Sequence, residues 1–346
     1  MGFLDELLIN GHNKGASDIL LVTGSPPIYR INGELIRQGK ERLMPPDTAR
    51  MAKEVLSEDM WEVLAAKREV DLSYGIENVS RFRVNVFYQR SAISFAFRVI
   101  PRDIPTMEEL GIPLILKNVV LRPHGLFLVT GPTGSGKSTS LASMIDYLNK
   151  TISRHVITLE DPIEYLHKHG KSIIEQREVG FDTLSFQNGL RASLRQDPDV
   201  ILVGEMRDLE TIQTALTAAE TGHLVLGTLH TQDTSSTVDR IIDVFPTHQR
   251  SQTRIMLANV LLGVMSQRLL QKADRSGRVA ATEMMVNNSA IKNLIRSEKM
   301  HQIPNILQTS RDQGMHTMEM SIKDLVERGL VSPAELVPYA AYNKLQ

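Results

Sequence analysis

The 346-residue chain contains no cysteine. Disulfides, thiolate catalysis and Cys-ligated zinc are therefore excluded, and a reducing compartment is compatible. Aromatic residues make up only 5%, with a single tryptophan, so there are few platforms for stacking single-stranded bases. No charge of either sign dominates: 39 Lys and Arg stand against 40 Asp and Glu, for a net charge of −1. A nucleic-acid binder usually shows a basic balance, so no nucleic-acid partner is expected. Long hydrophobic runs are also missing. Val200–Val203 and Asn259–Met265 are far short of a membrane span. The opening Met1-Gly2-Phe3-Leu4-Asp5-Glu6 is acidic and carries no signal-peptide charge pattern. These absences predict a soluble, cytoplasmic protein. Hydrophobic residues, at 42%, are plentiful enough for two domains with sizeable cores.

The first hundred residues read as a small α+β unit. Strands are predicted at Asp18–Val22, Ile28–Ile31 and Glu34–Arg37, the last two joined by a hairpin turn at Asn32-Gly33. Pro46–Ala66 has helical spacing, and alternating strands follow at Val70–Tyr74, Arg81–Gln89 and Ser91–Ile100. Pro101, Pro105 and Pro113 mark residues 101–113 as an interdomain linker. From residue 114 to 346 the pattern changes. Short apolar runs at Gly125–Thr130, His155–Glu160, Val200–Glu205 and Leu224–His230 alternate with helical stretches near Ser185–Arg195, Asp208–Thr221 and Ser235–Phe245. That alternation predicts an α/β domain with a parallel sheet between helices. Beyond Thr247 the chain reads as mostly helical, with His248–Gln271 as its longest element.

One stretch carries specific chemistry. Gly131-Pro132-Thr133-Gly134-Ser135-Gly136-Lys137-Ser138 is a complete P-loop, with an apolar strand before it and a helix with apolar Leu141, Met144, Ile145 and Leu148 after it. In that context the glycines let backbone N–H groups wrap phosphates at a helix N-terminus. Lys137 would reach the β- and γ-phosphates and Ser138 would ligate Mg²⁺. ATP and Mg²⁺ are the expected ligands.

Ligands of open α/β sheets gather at the carboxyl ends of strands. The strand ending at Glu160 is followed by Asp161, Pro162, Ile163 and Glu164. Of these carboxylates, one can polarise an attacking water and others can hold Mg²⁺ through its waters; the residues alone do not rank Glu160 against Glu164. Val200–Val203 runs into Gly204-Glu205-Met206-Arg207-Asp208, so Glu205 alone holds the acidic position of a Walker B strand, as Mg²⁺-shell acid or as base. His223 and His230 flank the strand between them; His230, past its end, would sense the γ-phosphate. Arg81 and Arg83 share one strand face, with Arg98 on the next strand, and are candidates for an arginine supplied in trans. Arg191 and Arg195 are weaker candidates for the same job.

Together these motifs resemble those of the secretion-ATPase superfamily and, within it, the PilT-type retraction ATPases of type IV pili. The likeness spans nearly the whole chain. It is carried by Ala16-Ser17-Asp18-Ile19, Arg81-Phe82-Arg83-Val84-Asn85, the P-loop, Thr158 to Glu164 (an Asp box), Gly204 to Asp208 (Walker B), and Thr221 to His230 (a His box). Ala290-Ile291-Lys292-Asn293-Leu294-Ile295-Arg296 resembles the motif that separates retraction from assembly ATPases, with Lys292 where Arg is commoner. The resemblance implies a PAS-like N-terminal domain, a RecA-like ATPase domain and a homohexameric ring. It also implies peripheral docking at the inner face of the cytoplasmic membrane against a pilus platform protein. Thr133, Gly134, Ser135, Gly136, Lys137, Ser138 and Thr139 would bind nucleotide, with Mg²⁺ near Ser138, Glu160 and Glu205. It makes Glu164 the base, His230 and His223 contacts of nucleotide and domain interface, and Arg83 and Arg98 the groups that approach the γ-phosphate. A related ATPase of pilus assembly, type II secretion or DNA uptake would share most of these features.

Overall fold

The computed structural model describes residues 2–31, 33–77, 79–101 and 103–337. Asn32, half of the expected hairpin turn, lies outside them. The chain divides into two compact units, residues 1–102 and 103–346.

The first unit is PAS-like. Its strands are β1 (Asp18–Leu21), β2 (Ile28–Ile31), β3 (Glu34–Arg37), β4 (Glu69–Ile76), β5 (Ser80–Gln89) and β6 (Ala92–Ile100). They form an antiparallel sheet in the order β3-β2-β1-β6-β5-β4. Alternation decides its faces. On β5, Phe82, Val84 and Val86 are fully buried, which puts Arg81 and Arg83 on the other face. The inward residues meet Leu4, Leu8, Met51, Ala52 and Leu64 from three helices. Phe82 meets Phe97 edge-on, and Phe95 stacks on Phe97. The helical stretch read over Pro46–Ala66 is two helices, Pro45–Val55 and Glu58–Lys67. The break falls at Ser57, whose hydroxyl accepts from Met60 N–H and caps the second helix.

The second unit is built on β7 (Gly125–Thr130), β8 (His155–Glu160), β9 (Ile173–Glu178), β10 (Val200–Val203), β11 (Leu224–Leu229), β12 (Leu261–Gln271) and β13 (Arg278–Val286). The order is β13-β12-β7-β11-β10-β8-β9. All neighbours are parallel except the antiparallel β12–β13 pair. β7, β10 and β11 are buried at every position, as strands covered on both faces must be. Separate apolar clusters fill the two sides, one with the helices Leu209–Glu220 and Thr234–Asp243, the other with the helix Lys137–Thr151.

Two sequence expectations differ from what forms. Residues 101–113 are not an open linker throughout. Thr106 caps a helical turn over Met107–Leu110, and Met107 and Ile112 are buried in the second unit's core. The long helix expected over His248–Gln271 ends at Val260, and Leu261–Gln271 is β12. Its apolar run has no decisive period, and pairing with β7 and β13 settles it. Arg278–Val286 is likewise a strand within the stretch read as helical. Helices return only at Ser289–Arg296, which carries the Ala290–Arg296 motif and buries Ile291, Leu294 and Ile295.

Candidate active site

The parallel strands β7, β8, β10 and β11 end on one edge, and the loops that follow them assemble the site. The loop after β7 turns sharply into the helix Lys137–Thr151, with Gly134 and Gly136 in the left-handed region at φ +78° and +86°. Lys137 is buried, and its Nζ donates to the carbonyls of Gly131 (2.9 Å) and Pro132 (3.2 Å). Burial pulls its pKa below the ordinary lysine value, with the charge of Glu205 acting the other way. Thr139 Oγ1 lies 3.1 Å from the Tyr165 hydroxyl, which ties the first turn of this helix to the loop after β8.

That acidic loop is held from beneath. Glu160 accepts from Thr158 Oγ1 at 2.6 Å and from Gln176 Nε2 at 3.1 Å, and burial raises its pKa above the usual carboxylate range. Gln176 uses its whole amide: Nε2 also donates to Tyr165 O (2.8 Å), and Oε1 accepts from His167 N–H (2.8 Å). Glu164 is exposed. Ser138, Glu160, Glu164, Tyr165, His167 and Glu205 line one cavity. Burial pushes the His167 imidazole down to about 4, and its Nδ1 is buried without a hydrogen-bond partner.

Glu205, after β10, joins both halves of the site. Its Oε1 lies 2.7 Å from His230 Nε2 and is also bonded to Arg207 Nε. Glu205 lines a second cavity with Pro132, Thr133, Arg207, His230 and Arg240. The predicted group Lys137, Ser138, Glu160, Glu164, Glu205 and His230 is therefore gathered at one strand edge.

His223 is not gathered with them. It precedes β11, with Nδ1 3.0 Å from Ala218 O, while His230 follows the strand. The six residues between separate them by roughly 20 Å, so within this chain His223 stands at the strand end away from the P-loop. Arg83 and Arg98 face one another across β5 and β6 in the first unit, and Arg98 pairs with Asp18 at 3.0 Å. Arg191 is engaged by Glu210, and Arg195 donates to Arg191 O.

Sequence reasoning passed over Tyr165, His167, Gln176 and Gln267. Three of them follow the acidic motif on or before the edge strand, and no spacing marks an amide that meets its partners only through the sheet. Gln267 carried one signal. It interrupts, with Ser266 and Arg268, the apolar run Leu261–Leu270.

The residues fit a polyphosphate. Ser135 Oγ is buried without a hydrogen-bond partner, and a Cβ on Gly134 would meet nothing within 4 Å, leaving its backbone approachable. Among the described residues no group of three or more His, Asp or Glu is placed to hold a metal alone. The oxygens of Ser138, Glu160 and Glu205 instead suit Mg²⁺, which keeps waters and takes its other ligands from phosphates.

A RecA-like parallel sheet with this loop, these acids and this histidine defines a P-loop ATPase. The chain belongs to the type II/IV secretion system protein family, which matches residues 29–338. It is 47% identical to the type IV pilus retraction ATPase PilT of Pseudomonas aeruginosa over 95% of both chains. It is 48% identical to a twitching motility protein of Neisseria gonorrhoeae over 89% of this chain and 82% of that one. A crystal structure of the pilus retraction motor PilT with bound ADP superposes with a TM-score of 0.89 at 49% identity, covering 97% of this chain and 96% of that one.

Proposed function

We propose that this chain is a Mg²⁺-dependent ATPase motor that works as a homohexamer and drives type IV pilus retraction. The observation that carries the catalytic part is the Lys137–Glu205–His230 cluster beside a P-loop whose Ser135 hydroxyl is buried and unpartnered. The retraction part rests on the likeness to the P. aeruginosa and N. gonorrhoeae proteins along almost the whole chain.

Backbone N–H groups of residues 133–138 would cradle the phosphates, and Lys137 would swing from its own carbonyls to the β- and γ-phosphates. Mg²⁺, near Ser138, Glu160 and Glu205, would neutralise developing phosphate charge. Water attacks the γ-phosphorus, the bond to the β–γ bridging oxygen breaks, and the water proton passes to a carboxylate. Glu164 suits that last role. It is exposed in the cavity, whereas Glu160 is half-buried, raised in pKa by desolvation and held by two donors. His230, on Glu205, would report the γ-phosphate to the loop after β11. Arg83 and Arg98 would approach the γ-phosphate as the ring closes. No helix among the described residues is long and apolar enough to cross a membrane. The ring would dock on a membrane platform protein, as the likeness to the pilus retraction ATPase implies.

The test is steady-state phosphate release by the purified chain with Mg²⁺-ATP, alongside ADP affinity. Lys137→Ala should abolish turnover. Glu164→Gln should lower kcat by about 10²-fold or more while ADP affinity holds. Turnover in Glu164→Gln equal to wild type would remove Glu164 from the mechanism. No hydrolysis by the wild-type hexamer would remove the ATPase reading.

A further inference from the structure

We propose that Gln267, on β12, is a positioning residue for nucleotide turnover: its side-chain amide aims the P-loop's phosphate-binding N–H groups. The inference rests on the P-loop being the nucleotide site. Gln267 is buried, at 3% exposure, directly behind the loop. Its Nε2 donates to the carbonyl of Ser135 at 2.8 Å, and its Oε1 accepts from the Ser140 hydroxyl at 2.6 Å. One planar amide thus spans the turn and the first turn of the helix Lys137–Thr151.

The geometry of the peptide bond turns this into function. In a planar trans peptide the C=O and the following N–H point in opposite directions. Holding the Ser135 carbonyl inward therefore holds the Gly136 N–H outward, toward the face where phosphates bind. An amide left to rotate would aim that donor elsewhere. The approach is close enough to dictate sequence. A Cβ on Gly131 would lie 2.3 Å from the backbone oxygen of Gln267, and one on Gly136 would lie 2.8 Å from Nε2. Next to it, Ser266 Oγ lies 2.6 Å from Thr130 Oγ1, at the end of β7. β12 is thus fastened to both sides of the loop's entry.

No residue of the P-loop motif supplies these bonds. They come from a strand that begins about 120 residues later, as the distance between Gly136 and Leu261 in the chain shows. Gln267 faces Thr282 on β13, and Thr282 Oγ1 in turn lies 2.9 Å from His316 Nε2 while its N–H donates to Ser321 Oγ (3.0 Å). The C-terminal helices therefore reach the phosphate loop through two strands and one amide.

The test compares Gln267→Glu and Ser140→Ala with wild type in the assembled protein. Readouts are ADP affinity, KM and kcat for Mg²⁺-ATP, and nucleotide-free melting. Gln267→Glu keeps size and acceptor but sets a carboxylate oxygen against the Ser135 carbonyl. It should weaken ADP binding and lower kcat/KM by about tenfold or more, since small misplacements of binding groups cost that much. Ser140→Ala leaves Oε1 without its donor and should give a smaller loss in the same direction, near threefold, with a modest fall in melting temperature because a buried acceptor is left unpaired. A purely packing role would lower melting temperature and leave KM and kcat of the folded protein within twofold of wild type, and that result overturns the inference. Should Gln267→Glu not fold, Ser140→Ala decides alone, and unchanged ADP affinity and turnover there also overturn it. Absence of ATP hydrolysis in wild type would instead strike at the nucleotide site itself.

Discussion

At position 204, where a Walker B strand often ends in aspartate, this chain has glycine because two strands converge. A Cβ there would lie 2.8 Å from the Leu159 carbonyl and 3.3 Å from Glu160 Cα. The acid is carried one residue further on, by Glu205, which reaches His230 and the P-loop side. His167 shows another residue-scale constraint. Burial depresses its pKa from 6.5 to about 4, so it is neutral in the folded chain. A histidine depressed on folding contributes stability that is complete above 6.5 and is lost as pH falls toward 4. With those two values the loss between pH 7.5 and pH 5 is about 2 kcal/mol. Melting temperatures across that range should fall more steeply for wild type than for His167→Gln. Parallel slopes would contradict a buried neutral His167. The residues gathered at the strand edge were largely legible in the sequence because a P-loop encodes its own spacing. Gln176, Tyr165 and Gln267 were not, because neutral side chains that brace other groups leave no pattern of charge or period.

Among elements, the strands β7, β8, β10 and β11 announce themselves as apolar runs ending in chemistry, and the sequence reading and the structure agree there within a few residues. The hairpin of β12 and β13 did not announce itself. Its apolar stretch suits a buried helix as well as a strand, and only long-range pairing decides. That hairpin also carries Glu283, a buried carboxylate whose pKa burial raises. It accepts from Thr234 N–H and Oγ1, both at 2.8 Å, and from Met318 N–H at 3.4 Å. It therefore ties the start of the helix after His230 to the start of Met318–Glu327. Glu283→Ala should cost about 1–3 kcal/mol, since buried donors are left unpaired. Denaturant titration measures it, and an unchanged midpoint would show that Glu283 bears no such load.

For the whole molecule, the division into a PAS-like and a RecA-like unit could be read from a change of rhythm near residue 114. The boundary itself falls earlier, at 102/103. Prolines suggested a linker, yet Met107 and Ile112 are drawn into the second core. The proposed ring assembly, platform docking and roles of Arg83 and Arg98 would rest on contacts between chains, which no single-chain pattern of burial records. The Ala290–Arg296 motif explains why the direction of work is hard to read. Its Ile291, Leu294 and Ile295 serve the core, which leaves Ala290, Lys292, Asn293 and Arg296 to face outward.

The direct test of a retraction motor is a count of surface pili on cells whose only copy of this chain carries Lys137→Ala. Retraction driven by ATP at this site predicts that pili accumulate while surface motility stops. Bald cells would make the same ATPase an assembly motor, and an unchanged number of pili would contradict any role of this chain in the pilus machine.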